Sequence, residues 1–292
     1  MLADKGLGEE LKMMELRHTW PLVLAATLIC AGCTSSPGAP AATTAPSPPV
    51  LESPPPSPLA ALKLPTGADP VNLDPADFSA NITNPYWPMK PGTRWTYREV
   101  DEKGRMQEVV VVATTATKKL ANGITVRVVR DTAQKGGQIV EDTVDWYAQD
   151  GTGNVWYMGE DTAEFEKGKV VSRAGSFEAG KNGALPGIIM PAEPQAGQHY
   201  RQEYLKGEAE DNGDVLALQQ MVEVPTGRYE KAVLTRDTSP LEPTVAEYKL
   251  YASGAGLVLT LDISGGSGRE TLVKIDKAGP KDGTGPIGKP NP

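Results

Sequence analysis

The chain of 292 residues carries 29 Lys and Arg against 37 Asp and Glu, a formal net charge of −8, with two cysteines and two histidines. An acidic balance without a Lys/Arg block excludes nucleic acid and anionic lipid headgroups as electrostatic partners. Both cysteines, Cys30 and Cys33, stand near the N-terminus. The body of the chain therefore has no disulfide, thiol nucleophile or Cys-ligated metal.

In chain order, Arg17 and His18 precede an uncharged run over residues 19–29, followed by Cys30-Ala31-Gly32-Cys33. A basic start, a short apolar core and small residues before a cut predict a secretory signal over residues 1–32, with Met13 or Met14 as the expected start. The run is well short of the roughly 20 apolar residues a spanning helix needs. Ala31-Gly32-Cys33 resembles the lipobox of bacterial lipoprotein precursors, with Cys30 where that motif usually has Leu. The resemblance implies cleavage before Cys33 and acylation (palmitate-type chains) of its thiol. The chain would then be an extracytoplasmic lipoprotein, anchored through Cys33 to the cell membrane or, in a diderm, to the outer membrane.

Residues 34–58 are almost entirely Thr, Ser, Pro, Ala and Gly. Such a segment buries too little apolar surface to offset its ordering entropy, and its prolines keep it extended. It predicts a disordered linker over 33–72, ahead of a domain at 73–278. Residues 279–292 are again rich in Gly and Pro and read as a disordered tail.

Within the domain, short β-branched and aromatic segments alternate with Gly, Asp and Asn turns. Strands are predicted at 94–100, 108–114, 124–130, 140–147 and 154–158. A second set falls at 200–205, 216–224, 232–236, 245–251, 257–263 and 270–275. Asp150-Gly151-Thr152-Gly153 reads as a hairpin turn, and a short helix is allowed near Pro75. Three markers recur 104 to 106 residues apart: Trp95 with Tyr200, Arg130-Asp131-Thr132 with Arg236-Asp237-Thr238, and Tyr147-Ala148 with Tyr251-Ala252. They predict an internal repeat, with halves at about 84–173 and 190–276. The expected fold is all-β with minor α: an antiparallel curved sheet or half-barrel built from two meanders.

Two groups of strings carry a family resemblance. The first is Asn84-Pro85-Tyr86-Trp87-Pro88 with Pro91-Gly92-Thr93-Arg94-Trp95. The second is Asp145-Trp146-Tyr147-Ala148-Gln149-Asp150, then Gly153-Asn154-Val155-Trp156-Tyr157 and Gly159-Glu160-Asp161-Thr162. They resemble a family of bacterial lipoproteins without an assigned activity, over most of residues 77–275. The meanders are also distantly similar in architecture to the half-barrel of LolA-type lipoprotein carriers. Architecture alone does not fix function.

Trp87, Trp146, Trp156, Tyr147 and Tyr157 are the candidate ligand face, with Arg130 and Arg236 as anion-binding candidates. Adjacent aromatics point to opposite faces of a strand, so part of this set must be core. Glu141, Asp142, Asp145, Asp150, Glu160 and Asp161 could supply paired carboxylates or calcium ligands. Their spacing reads more simply as turn and solvent-face acids. His199 has no nucleophile elbow to serve.

No catalytic residue, metal site or cofactor is therefore assigned. The expected function is a non-catalytic binding module for an apolar ligand or an envelope partner. The alternatives are an envelope scaffold without a small ligand and, third, a hydrolase using the acidic residues. Oligomeric state and pathway are left open.

Overall fold

In a computed structural model, residues 64–101 and 103–291 are described. The signal, Cys33 and most of the proposed linker lie outside the described residues. One 3₁₀ turn, Pro75–Asp77, precedes sixteen strands. The first nine are β1 (Phe78–Ser79), β2 (Thr93–Val100), β3 (Met106–Lys119), β4 (Thr125–Lys135), β5 (Gln138–Asp150), β6 (Val155–Glu166), β7 (Lys169–Ser172), β8 (Phe177–Glu178) and β9 (Leu185–Met190). The others are β10 (His199–Arg201), β11 (Glu203–Tyr204), β12 (Asn212–Val224), β13 (Gly227–Thr238), β14 (Ala246–Ala252), β15 (Gly256–Ser264) and β16 (Arg269–Lys277).

Each segment predicted as a strand overlaps a strand, because β-branched runs between turn residues have little alternative to pairing. Neighbours in the sheet run β10-β12-β13-β14-β15-β16-β2-β3-β4-β5-β6-β9-β11. Every pairing is antiparallel. Two runs of consecutive strands thus lie side by side, joined where β16 pairs with β2.

Only Gln202 separates β10 from β11, which bond to opposite ends of this order. The ends therefore meet, and the antiparallel curved sheet expected from sequence curls into a nearly closed barrel. Closure depends on a close approach at Gly187 in β9. A Cβ there would sit 2.4 Å from the carbonyl oxygens of both Arg201 and Gln202. A second glycine serves the β5–β6 hairpin, whose register shifts between Trp146 and Tyr147. Gly159 has a φ of +135°, and a Cβ would lie 2.3 Å from the Phe177 oxygen.

The chain joins the barrel earlier than composition implies. Leu64, Val71 and Leu73 pack on the core. The buried Arg201 donates through Nε to the Pro186 oxygen at 3.0 Å and through Nη1 to the Gly67 oxygen at 2.8 Å. Its backbone N–H donates to the Pro65 oxygen at 2.8 Å. Residues 64–72, expected as linker, are a strap held at the barrel seam. Composition could not show this, because the partner is one arginine more than a hundred residues away.

Further along, the segment carrying Ile82, Trp87 and Met89 crosses one end of the barrel. Asn84 Nδ2 donates to the Pro191 oxygen at 3.0 Å and to the Gly153 oxygen at 3.2 Å. The Gly254 N–H donates to the Pro85 oxygen at 2.8 Å. These bonds tie the segment to the β5–β6 and β14–β15 turns.

Residues 279–291, read from composition as a disordered tail, are also fixed. They pack on the outer face of the first run of strands. Arg94 pairs with Asp282, and the Gly288 N–H donates to Asp142 Oδ2 at 2.5 Å. A Gly/Pro-rich segment lacks a core of its own, but it can still supply backbone donors and acceptors to a buried ion pair.

Candidate functional site

Antiparallel pairing sets paired residues on the same face. Two lateral rows follow. One crosses Thr235, Lys249, Thr260, Glu270, Glu99 and Gln107. The other crosses Val111, Asp131, Thr143 and Thr162. Asp145 pairs with Val129 on one side and Glu160 on the other. These positions line the inside of the barrel, where a cavity of about 80 Å³ lies against the Trp87 segment.

Trp87, Met89, Trp95, Tyr97 and Tyr147 form much of its wall, with Val109, Val111, Val129 and Leu257. Three acids, Asp131, Asp145 and Glu270, line the same space. The rings form a connected set. Trp87 meets Tyr147 edge-on at 5.4 Å between centroids and Tyr251 at 5.9 Å. Tyr147 stacks on Tyr157 at 5.0 Å, and Tyr157 meets Phe177 edge-on at 5.4 Å.

The acids of the barrel interior are held far from ordinary behaviour. Burial pushes the Asp145 carboxyl up to about 7, with Glu141 adding to the shift against the Tyr157 hydrogen bond. Burial, then the charge of Glu99, takes Glu270 up to about 8. Asp131 is raised by burial and then by Asp145 and Glu270. Among the described residues, Asp131 and Glu270 have no hydrogen-bonding or ion-pairing partner. Lys249, whose charge acts on Glu270, is already bonded to Asp237 at 2.9 Å and Glu247 at 3.1 Å. Burial works against the Lys249 ammonium, but those two acids outweigh it and raise its pKa.

Asp145 and Glu160 share a bridge. The Tyr157 hydroxyl lies 2.7 Å from Asp145 Oδ1 and 2.9 Å from Glu160 Oε2. A phenol has one proton to donate. Both contacts are hydrogen bonds only when one of the two carboxyls is itself protonated. Burial first, and the Asp145 charge second, raise Glu160 well above its ordinary value, in the direction that favours such a shared proton.

The expected ligand face does not form one surface. Trp87 and Tyr147 line the cavity, and Tyr157 lies on the same inner side beside Asp145. Trp146 points outward, with Lys118 Nζ 3.2 Å from its ring centroid. Trp156 packs on Phe78 at 5.9 Å and donates to Asp150 Oδ2 at 2.8 Å.

Arg130 is 2 % exposed and bonds to Asp142 through Nε and Nη2 at 2.6 and 2.5 Å. Two further donors, on Nη1 and Nη2, reach the oxygens of Gly285 and Pro286, each at 3.0 Å. Four of its five N–H donors are thus engaged, and the buried guanidinium already has Asp142 as its counter-charge, so it is not an open anion site. Arg236 is 46 % exposed on the outer face and pairs with Asp214 at 2.8 Å, which also takes His199 Nδ1 at 2.8 Å.

The acidic cluster divides as well. Asp150 Oδ1 accepts from the N–H groups of Thr152, Gly153 and Asn154 at 2.9 to 3.0 Å, so it organises the hairpin turn. Asp161 pairs with Arg173 on the surface. Asp142 and Asp145 are buried, against their reading as solvent-face acids. Asp131 stands in the sequence reading as part of the Arg130-Asp131-Thr132 marker and not as a ligand residue, and Glu270 was not singled out. Their only signal is parity: Asp131 alternates with Val129 and Ala133 on one strand face.

No family model matches the chain, and no curated protein matches it. Two solved structures are similar in fold. One is a protein classed as exported, with a YmcC-like fold, from Bacteroides fragilis. It shows 14 % identity and a TM-score of 0.42, over 67 % of this chain and 100 % of that one. The other, classed as a lipoprotein, is from Parabacteroides distasonis. It shows 13 % identity and a TM-score of 0.40, over 65 % of this chain and 98 % of that one. The likeness to LolA-type carriers has no counterpart in these comparisons.

Proposed function

We propose that the chain is a lipid-anchored extracytoplasmic protein whose barrel is a non-catalytic binding module. The anchor reading rests on the signal and on Cys33. The binding reading rests on one observation: an aromatic-walled cavity inside the barrel that also carries acids without a protein partner. Proteins rarely keep desolvated carboxyls in an apolar wall without a use, because isolated charges there cost stability. A wholly apolar ligand would match the rings of this wall but give its three acids no partner. The hydrolase reading loses ground for a geometric reason. Asp145 and Glu160 are bridged by the Tyr157 hydroxyl, which fills the gap a scissile bond would need.

Native mass spectrometry of the full lipidated chain, extracted in mild detergent, tests the proposal. A small molecule should accompany the protein and be lost when Val111→Phe fills the cavity. An unliganded spectrum from both forms favours the scaffold alternative.

A further inference from the structure

We propose that the cavity takes a small primary amine bearing an oxygen acceptor, with its ammonium among Asp131, Asp145 and Glu270; this rests on the reading of the barrel as a binding module. Three features converge on a cation with that second group. The cavity offers carboxyls without a cation of their own, since Lys249 is engaged by Asp237 and Glu247. Its wall holds four aromatic rings, Trp87, Trp95, Tyr97 and Tyr147, whose faces favour ammonium groups. Trp87, only 9 % exposed, is part of that wall, and its indole N–H has no acceptor in the protein. A hydroxyl or carbonyl oxygen beside the ammonium would satisfy it.

Size and donor geometry narrow the class further. About 80 Å³ is roughly half of an engineered cavity that holds benzene, so the ligand has only a few heavy atoms. Among the described residues, no three His, Cys, Asp or Glu side chains converge closely enough to hold a metal ion.

The site also links binding to protons. Asp145 faces Glu160 and Tyr157 on β6 and Glu141 on its own strand. Asp131 on β4 feels Asp145, Glu270, Glu141 and Asp142. Glu270 faces Glu99 on β2, Lys249 and Glu247 on β14, and Asp262 on β15. Without a cation, Asp145 keeps its proton up to about pH 7 and Glu270 up to about pH 8. An ammonium favours their charged forms, so binding releases protons and tightens as pH rises through that window. An alkylammonium itself stays charged until roughly pH 10.

Ethanolamine is the probe, with ethylene glycol as its neutral counterpart. Both are titrated into the full mature chain while Trp fluorescence and calorimetry are followed. Ethanolamine should bind at least tenfold more tightly than ethylene glycol and at least tenfold more tightly at pH 8 than at pH 6. Its heat should depend on the buffer's ionisation enthalpy, which reports proton release. Asp131→Asn and Glu270→Gln, made separately, should each weaken binding about tenfold while circular dichroism stays unchanged. Equal binding of the two probes overturns the amine assignment and leaves the binding module standing. Binding of neither probe, together with a native spectrum free of ligand, overturns both.

Discussion

Arg130 and Asp131 are neighbours in the chain and opposites in the fold. Arg130 points to the outer face, where Asp142 takes two of its donors and the C-terminal segment seals the pair. Asp131 points into the barrel, where no protein cation meets it and burial raises its pKa. The outer face thus spreads charge in matched pairs, as a structure built for stability would. The inner face concentrates unmatched acids against aromatic rings, which stability alone does not explain.

The sealed pair is where a break should cost most. Removing one partner leaves an uncompensated buried charge, so Asp142→Ala should destabilise the chain by about 3 to 5 kcal/mol in denaturant unfolding. A loss under 1 kcal/mol would mean the outer pair is not a structural element. Truncation after Ala278 keeps both ions but removes their backbone partners at Gly285, Pro286 and Gly288. Bonds to charged groups set its scale, and ordering entropy offsets part of it, leaving a loss of about 2 kcal/mol. Hydrogen exchange at Arg130 and Asp142 would report the same loosening.

Arg236, which the sequence markers align with Arg130, pairs instead with Asp214 on the solvent side, its own side chain 46 % exposed. Exposed pairs gain little over hydration, so Asp214→Asn should cost at most about 1 kcal/mol. A cost equal to that of Asp142→Ala would erase the distinction between sealed and open pairs.

Much of the outer architecture was legible because it is local. Strand positions follow from β-branched runs, and the hairpin at Asp150 follows from its Gly-rich turn. Adjacent aromatics such as Trp146 and Tyr147 divide between faces as period-two geometry requires. Barrel closure was not legible, because it rests on a close approach of Gly187 to Arg201 and Gln202. The fixed tail was hidden for a similar reason: its partner is an ion pair about 150 residues earlier in the chain. Asp131 and Glu270 looked like ordinary strand acids. Alternation tells which residues share a face, but only closure tells which face becomes the inside.

The inner acids have a definite pH signature. A carboxyl whose folded pKa is raised contributes stability in full below its unfolded value, near pH 4, and loses it as pH rises through the folded value. For Asp145 and Glu270 the loss therefore runs from about pH 4 to about 7 and 8 respectively. Its ceiling is about 1.4 kcal/mol per pH unit for each group. Asp214, Glu178 and Asp150, whose folded pKa values are lowered despite the opposing effect of burial, act in the opposite sense and only at acid pH.

Thermal unfolding of the Asp131→Asn/Glu270→Gln double variant at pH 5 and pH 8 tests the central contrast most directly. If the inner acids are kept at the expense of stability, the variant unfolds at a higher temperature than the parent at pH 8, with little difference at pH 5. A lower Tm at both pH values would show that these carboxyls hold the barrel together, and the contrast between its two faces would fail.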